Sequence, residues 1–300
     1  EVRYGHGTGE SIDSGAEADN GIGRPGTCPN CMLLEGRVAD SFVGDVNDFA
    51  QGVLFAADSG ADVVQEALGT LNNSAFAQAA IDYTYARGTV TIASAADEES
   101  RHNNYPAAYA NTVVVNSVTK FFDEGGFRQD PASYLYLNGC TNFSGHVAVS
   151  VPSAACSSEA TGLSSGMAGL IVAAALDGID RGTLTAYPTG DGFADFPLSA
   201  EEIRQILIGT ADDINFDART DTDPPLPQNY ATNIPLPGIP QRHERFPSIA
   251  GFDQYFGYGR VNAAAAVQRV RDGRIPPEAA VTAPAWFAYL RPSAGPIAVS

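Results

Sequence analysis

The 300-residue chain carries 17 basic and 35 acidic side chains, a net charge of −18, with Lys120 as its single lysine. Such an acidic chain lacks the basic face that phosphate backbones and anionic lipid surfaces require, so nucleic acid and charged membranes are excluded as partners. With 44% hydrophobic residues it can build a core, and its length suits one large α/β domain or two smaller ones.

The sequence opens at Glu1 without a basic-then-apolar leader, which predicts a processed end or a segment of a longer protein. Strand and helix patterns then alternate. Met32 to Val38 reads as a strand. Asp48 to Ala57 reads as a helix, with Phe49, Val53, Leu54 and Ala57 recurring on one face. Ala61 to Glu66 reads as a strand. Ser74 is a good N-cap for a helix running to Arg87, where Gly88 stops it. Thr89 to Ser94 and Thr112 to Val118 read as strands, and an apolar helix covers roughly Ser165 to Leu176. Its longest apolar stretch, Met167 to Leu176, is too short to cross a bilayer and reads as buried, so no membrane span is expected. Ser199-Ala200-Glu201-Glu202 is a capping box that opens another helix, and Ala263 to Val270 is the last. This alternation predicts an α/β fold, a doubly wound, mostly parallel sheet with helices on both faces.

Residues 212–247 break the pattern with prolines and aspartates and read as a surface excursion from a domain spanning 1–272. Residues 273–300 read as a linker, Ile275-Pro276-Pro277, and the start of a following β-domain around Trp286, Phe287 and Tyr289. Asp213-Ile214-Asn215-Phe216-Asp217 has the opening of a calcium loop. Ala218 and Pro224 stand where the turn glycine and the bidentate glutamate belong, so an EF-hand fails and a looser calcium site on Asp217, Asp221 and Asp223 stays open. Cys28, Cys31, Cys140 and Cys156 allow three disulfide pairings. Two disulfides, or one with free thiols, in an exported protein fit better than a zinc ribbon, because only Cys28-Pro-Asn-Cys31 forms a knuckle.

Two motifs carry the chemistry. Gly5-His6-Gly7-Thr8-Gly9 offers a histidine. Gly162-Leu163-Ser164-Ser165-Gly166-Met167-Ala168 offers serines where the apolar helix is expected to begin. A serine at a helix N-terminus within reach of an imidazole is a usable nucleophile, since the ring takes its proton and backbone N–H groups hold the oxyanion. With these motifs in this order, the sequence resembles the subtilisin-like serine peptidases, or subtilases, over most of residues 1 to about 272. His6-Gly7-Thr8 matches the histidine motif. Ala67-Leu68-Gly69 stands at the substrate-binding strand, and Ala93 to Glu98 at the Ala-Gly-Asn-Glu segment. Tyr105-Pro106-Ala107 matches the turn that follows, and Gly257 to Ala263 the terminal motif.

The resemblance implies His6 as general base, with backbone at Gly44, Ala67, Leu68 and Gly69 pairing an extended peptide. It also implies Ala95 and Ala96 lining the specificity pocket. By their charge, Glu98 and Glu99 either draw basic residues of a bound peptide or form a solvated rim. The resemblance implies no cofactor for the chemistry, a structural calcium, an extended peptide or protein partner and secretion. Three departures oppose activity. The register that keeps the apolar helix face buried puts Gly166 at the serine position. The family's aspartate, which precedes its histidine by several tens of residues, has no counterpart in the five residues before His6, so the sheet is expected to lack an N-terminal strand. Asp97 replaces the oxyanion-hole asparagine, and an ionised carboxylate accepts hydrogen bonds but cannot donate one. The expectation is therefore a subtilase-fold domain with a degenerate centre, serving in binding, scaffolding or self-assembly. The alternative is an active endopeptidase using Ser164 or Ser165 with His6.

Overall fold

The computed structural model describes residues 5–39, 45–102, 104–120, 134–190, 192–193, 195–215 and 248–276. In chain order the elements are helix α1 (His6–Gly15), α2 (Val46–Asp58), strand β1 (Val63–Glu66), α3 (Ala75–Ala86), β2 (Val90–Ser94), β3 (Thr112–Thr119), β4 (Tyr136–Leu137), β5 (Val147–Pro152), α4 (Ser157–Asp180), α5 (Ala200–Gly209) and α6 (Ala263–Arg271). β1, β2, β3 and β5 pair in parallel, with β3 between β2 and β5, and the short β4 runs antiparallel to the end of β3.

The alternation of side chains along β3 divides the interior. Val113 and Val115 face a core built with α4, α5 and α6, around Ile171, Ile203 and Ile206. Val114 faces the other way, onto Ala93, Ala107 and Val147. α2 and α3 enclose a further core with Phe49, Ile81 and Tyr109, against which Val64 of β1 packs. Buried strands covered on both faces read as continuous valine runs, which explains why the sheet was legible. The predicted caps also hold: Ser74 accepts from the Ala77 amide, and Ser199 and Glu202 close a reciprocal capping box.

Two predicted elements are corrected. Residues 32–38 form no strand, and Met32, Leu33 and Leu34 are 98%, 49% and 52% exposed. An extended segment becomes a strand only where a neighbouring backbone takes up its N–H and C=O groups, and none among the described residues does so here. β1 is an edge of the sheet. The apolar helix begins at Ser157, not near Ser165, and spans 24 residues. It is therefore long and apolar enough to cross a membrane by length and composition. Ala168, Ile171, Val172 and Ala175 nevertheless put it in the centre of the core. Its first turns escaped the sequence pattern because serine, threonine and glycine are poor helix formers. Tertiary and local bonds supply what propensity lacks. Asp97 accepts from the Ser157 amide at 2.9 Å and its hydroxyl at 2.5 Å. The Thr161 and Ser164 hydroxyls donate back to the carbonyls of Ser157 and Ala160.

Candidate active site

The carboxyl ends of β1, β2 and β5 open onto one place, the usual location of a site in a parallel α/β sheet. β5 leads through residues 153–156 into α4, which puts Ser158 in the helix's first turn. α1 packs against α4 and begins with His6. His6 Nε2 and Ser158 Oγ lie 3.2 Å apart, with Ser158 half-buried and the His6 side chain 43% exposed. The Ser158 hydroxyl is also 3.4 Å from the Ala67 carbonyl, so the segment after β1 borders the same spot. In the first turn of a helix the amides have no intrahelical acceptor, and among the described residues the Ser158 N–H has no partner. A hydroxyl, an imidazole and a free amide donor at a positive helix end thus share one corner.

The serines expected to serve as nucleophile lie elsewhere. Ser164 is fully buried, and its hydroxyl is committed to the carbonyls of Ala160 at 2.8 Å and Thr161 at 3.1 Å. Ser165 is 5% exposed, with its oxygen enclosed. Gly166 faces α1 and the segment behind it, and a Cβ there would lie 2.7 Å from both the Ser14 carbonyl oxygen and Thr27 Cβ, so the glycine is a close-packing residue.

Asp97 does stand at the site, exposed, but its Oδ1 caps α4 through Ser157, and that hydroxyl also meets Ser94 Oγ at 2.6 Å. Ala96 takes a left-handed φ of 73° and its carbonyl accepts from the Asn142 amide. The Ala95 side chain is buried in the core with Val114 and Val147, so it lines no open pocket. The Glu98 carboxylate is held by the side-chain amides of Asn104, at 3.0 Å, and Asn142. Leu68 N–H donates to Glu66 at 3.0 Å, and Gly69 lies beside Asn104. Gly44 and the calcium candidates Asp217, Asp221 and Asp223 lie outside the described residues. Among the described residues no cluster of His, Cys, Asp or Glu is arranged to hold a metal. Cys28 pairs with Cys31 and Cys140 with Cys156, the latter bridge fixing the residue that precedes Ser157.

The family model of the subtilases, peptidase S8, matches residues 3–259. The chain belongs to the subtilase family. Among curated relatives, thermitase of Thermoactinomyces vulgaris is 36% identical over 125 residues, covering 41% of this chain and 44% of thermitase. A thermophilic serine proteinase of Bacillus sp. (strain AK1) is 30% identical over 162 residues, covering 48% and 40%. The match therefore spans less than half the length of either relative. Among solved structures, the protease domain of PatA (S218A mutant) superposes with a TM-score of 0.58 at 17% identity over 90% of this chain and 82% of that one. A protease of Pseudoalteromonas arctica PAMC 21717 gives 0.57 at 22%, over 88% and 70%. At these identities the structural likeness establishes the subtilase fold.

Within this subtilase domain, sequence reasoning missed three residues at the site: Ser158, Glu159 and Glu10. One signal was available for Ser158. Val147 to Val151 is a valine-rich run, and a short link after it leads to Ser157-Ser158. A strand, a tight link and a serine is the approach by which α/β enzymes expose a nucleophile at a helix start. Glu10 and Glu159 carried no motif, because only the contact between α1 and α4 brings them together.

Proposed function

We propose that this domain is an active serine endopeptidase that works through an acyl-enzyme on Ser158, with His6 as general base. The observation that carries the reading is the 3.2 Å contact between His6 Nε2 and Ser158 Oγ. Ser158 Oγ attacks the scissile carbonyl carbon and passes its proton to His6 Nε2. The Ser158 N–H, with the positive end of α4 behind it, faces the developing oxyanion. His6 then gives the proton to the leaving amine, and water repeats the sequence to release the acid. The substrate is an extended peptide laid along residues 67–69 and 95–97. No cofactor enters these steps, and a structural calcium is a stability element only. The two disulfides support an extracytoplasmic location.

A second reading, a binding or scaffolding domain of low activity, is favoured by one observation: the Asp97 carboxylate beside the Ser158 turn. Loss of an oxyanion donor in a serine peptidase of this family costs about 10²–10³ in turnover. The experiment that separates the readings is fluorophosphonate labelling of the full chain, with the modified residue mapped by mass spectrometry. Label on Ser158, lost in His6→Ala, is expected. An unlabelled chain that still binds peptide would replace the first reading by the second.

A further inference from the structure

Behind the His6–Ser158 pair, α1 and α4 bring three carboxylates together, and the half-exposed Arg24 from the segment after α1 reaches two of them. Glu10, one turn along α1 from His6, brings Oε1 to 3.6 Å from His6 Nε2, the same nitrogen that meets Ser158. Glu10 is 9% exposed and its Oε2 is buried without a partner. Asp13, the next turn on, accepts from Arg24 Nη2 at 2.5 Å. The same Arg24 nitrogen donates at 2.8 Å to Glu159, the residue that follows Ser158. The other oxygen of Glu159 accepts the amides of Ala154 at 2.8 Å and Ala155 at 2.5 Å. Asp13 and Glu159 thus share Arg24, while Glu10 faces the His6 imidazole. Gly162 permits this approach, for a Cβ there would lie 2.8 Å from the Glu10 carbonyl oxygen and 3.2 Å from Oε2.

We propose that Glu10 is a positioning residue for His6, its carboxylate facing Nε2 across 3.6 Å and so tying the readiness of the His6–Ser158 pair to the charge of the α1–α4 cluster. The inference rests on the peptidase reading above. When Glu10 is ionised, its charge favours the imidazolium that forms as Ser158 attacks. When Glu10 is protonated that support is lost, so activity rises as Glu10 loses its proton. Burial first, then the charges of Asp13, Glu159 and Asp97, push the Glu10 pKa up to about 7. Burial also works to raise Glu159, but the Arg24 hydrogen bond and the two amides outweigh it and hold that carboxyl below its ordinary value. Burial keeps Asp13 above its ordinary value despite Arg24. The charged groups facing Glu10 are therefore His6 and Asp13 from α1, Arg24 from the segment after it, Asp97 from the end of β2 and Glu159 from α4.

Two measurements on the full chain test the proposal. The first is the rate of fluorophosphonate labelling at Ser158 from acid to alkaline pH. The wild type is expected to lose activity on the acid side, and Glu10→Gln to lose it at a midpoint displaced by about one pH unit to lower pH. A merely structural role for Glu10 would lower the rate at every pH and leave the limb unchanged. The second is the carboxyl-carbon NMR titration of Glu10 in the wild type and in His6→Gln, a surface substitution. Its midpoint is expected to move up once the facing imidazole is gone. An unchanged limb in folded Glu10→Gln, or an unchanged Glu10 midpoint in His6→Gln, would overturn the proposal. If the wild type takes no label at any pH, the peptidase reading fails, and the NMR comparison alone decides whether Glu10 and His6 are coupled. The same comparison decides if Glu10→Gln does not fold.

Discussion

Ser158 and Ser164 belong to the same helix, yet the two hydroxyls have different prospects. Ser158 lies in the first turn, half-buried, facing an imidazole from another helix, with its own N–H free among the described residues. Ser164 lies in the interior of the helix, fully buried, its hydroxyl bonded back to Ala160 and Thr161. A serine within a helix satisfies itself on the preceding turn and has no lone pair or room for a substrate. A serine at the start of a helix has neither restriction, and it sits where the amides have no intrahelical acceptor. The comparison teaches that helix position decides which of several serines can act as nucleophile.

The largest expected effect breaks this comparison directly. Ser158→Ala should abolish fluorophosphonate labelling, a loss of about 10³ or more. Ser164→Ala and Ser165→Ala should leave the labelling rate within a few-fold. Label transferred to Ser164 would reverse the assignment of the two turns. Asp97→Asn comes next. The amide keeps an oxygen for the Ser157 cap and adds a donor, so the labelling rate should rise by up to about 10². An unchanged rate would mean that Asp97 does not face the oxyanion.

Stability variants sharpen the contrast from the interior end. Gly166→Val drives a side chain into the Ser14 carbonyl and Thr27, and should cost about 1–3 kcal/mol by denaturant titration. Cys140→Ser opens the bridge that holds the approach to Ser158, and should cost about 3 kcal/mol. The smallest effect is on pH dependence. Burial first raises Glu10 to about 7 and Asp253 to about 6. A carboxyl raised on folding binds its proton more tightly in the folded chain. Its contribution is therefore present at low pH and lost as pH climbs from the ordinary carboxylate range through the raised value. The melting temperature should fall between about pH 4 and pH 7. Asp253→Asn should flatten the lower part of that fall, which differential scanning calorimetry can read.

How far the site was legible follows from particular residues. His6 was visible because its glycine-flanked motif is local. The strands β2 and β3 were visible because they are buried on both faces and carry apolar stretches, Ile92-Ala93 and Val113 to Val115. Ser158 was hidden because its helix begins in a run rich in serine, threonine and glycine that propensity disfavours. The residues 32–38 misled in the opposite way, since a short run with apolar Met32, Leu33, Leu34 and Val38 carries no record of whether a partner strand lies beside it.

By itself the sequence determined the subtilase motifs, the parallel α/β architecture, the caps of α3 and α5 and the acidity of the site. These depend on short-range preferences and on the alternation of side chains along strands, both written in adjacent residues. The tertiary structure decided which serine meets His6, that Gly166 is a packing glycine, that Asp97 caps α4, and that Glu10, Asp13 and Glu159 gather around Arg24. Those outcomes depend on the approach of α1 to α4 across a long stretch of chain. The small side of α4 at Gly162 and Gly166 permits that approach, and no local pattern encodes it.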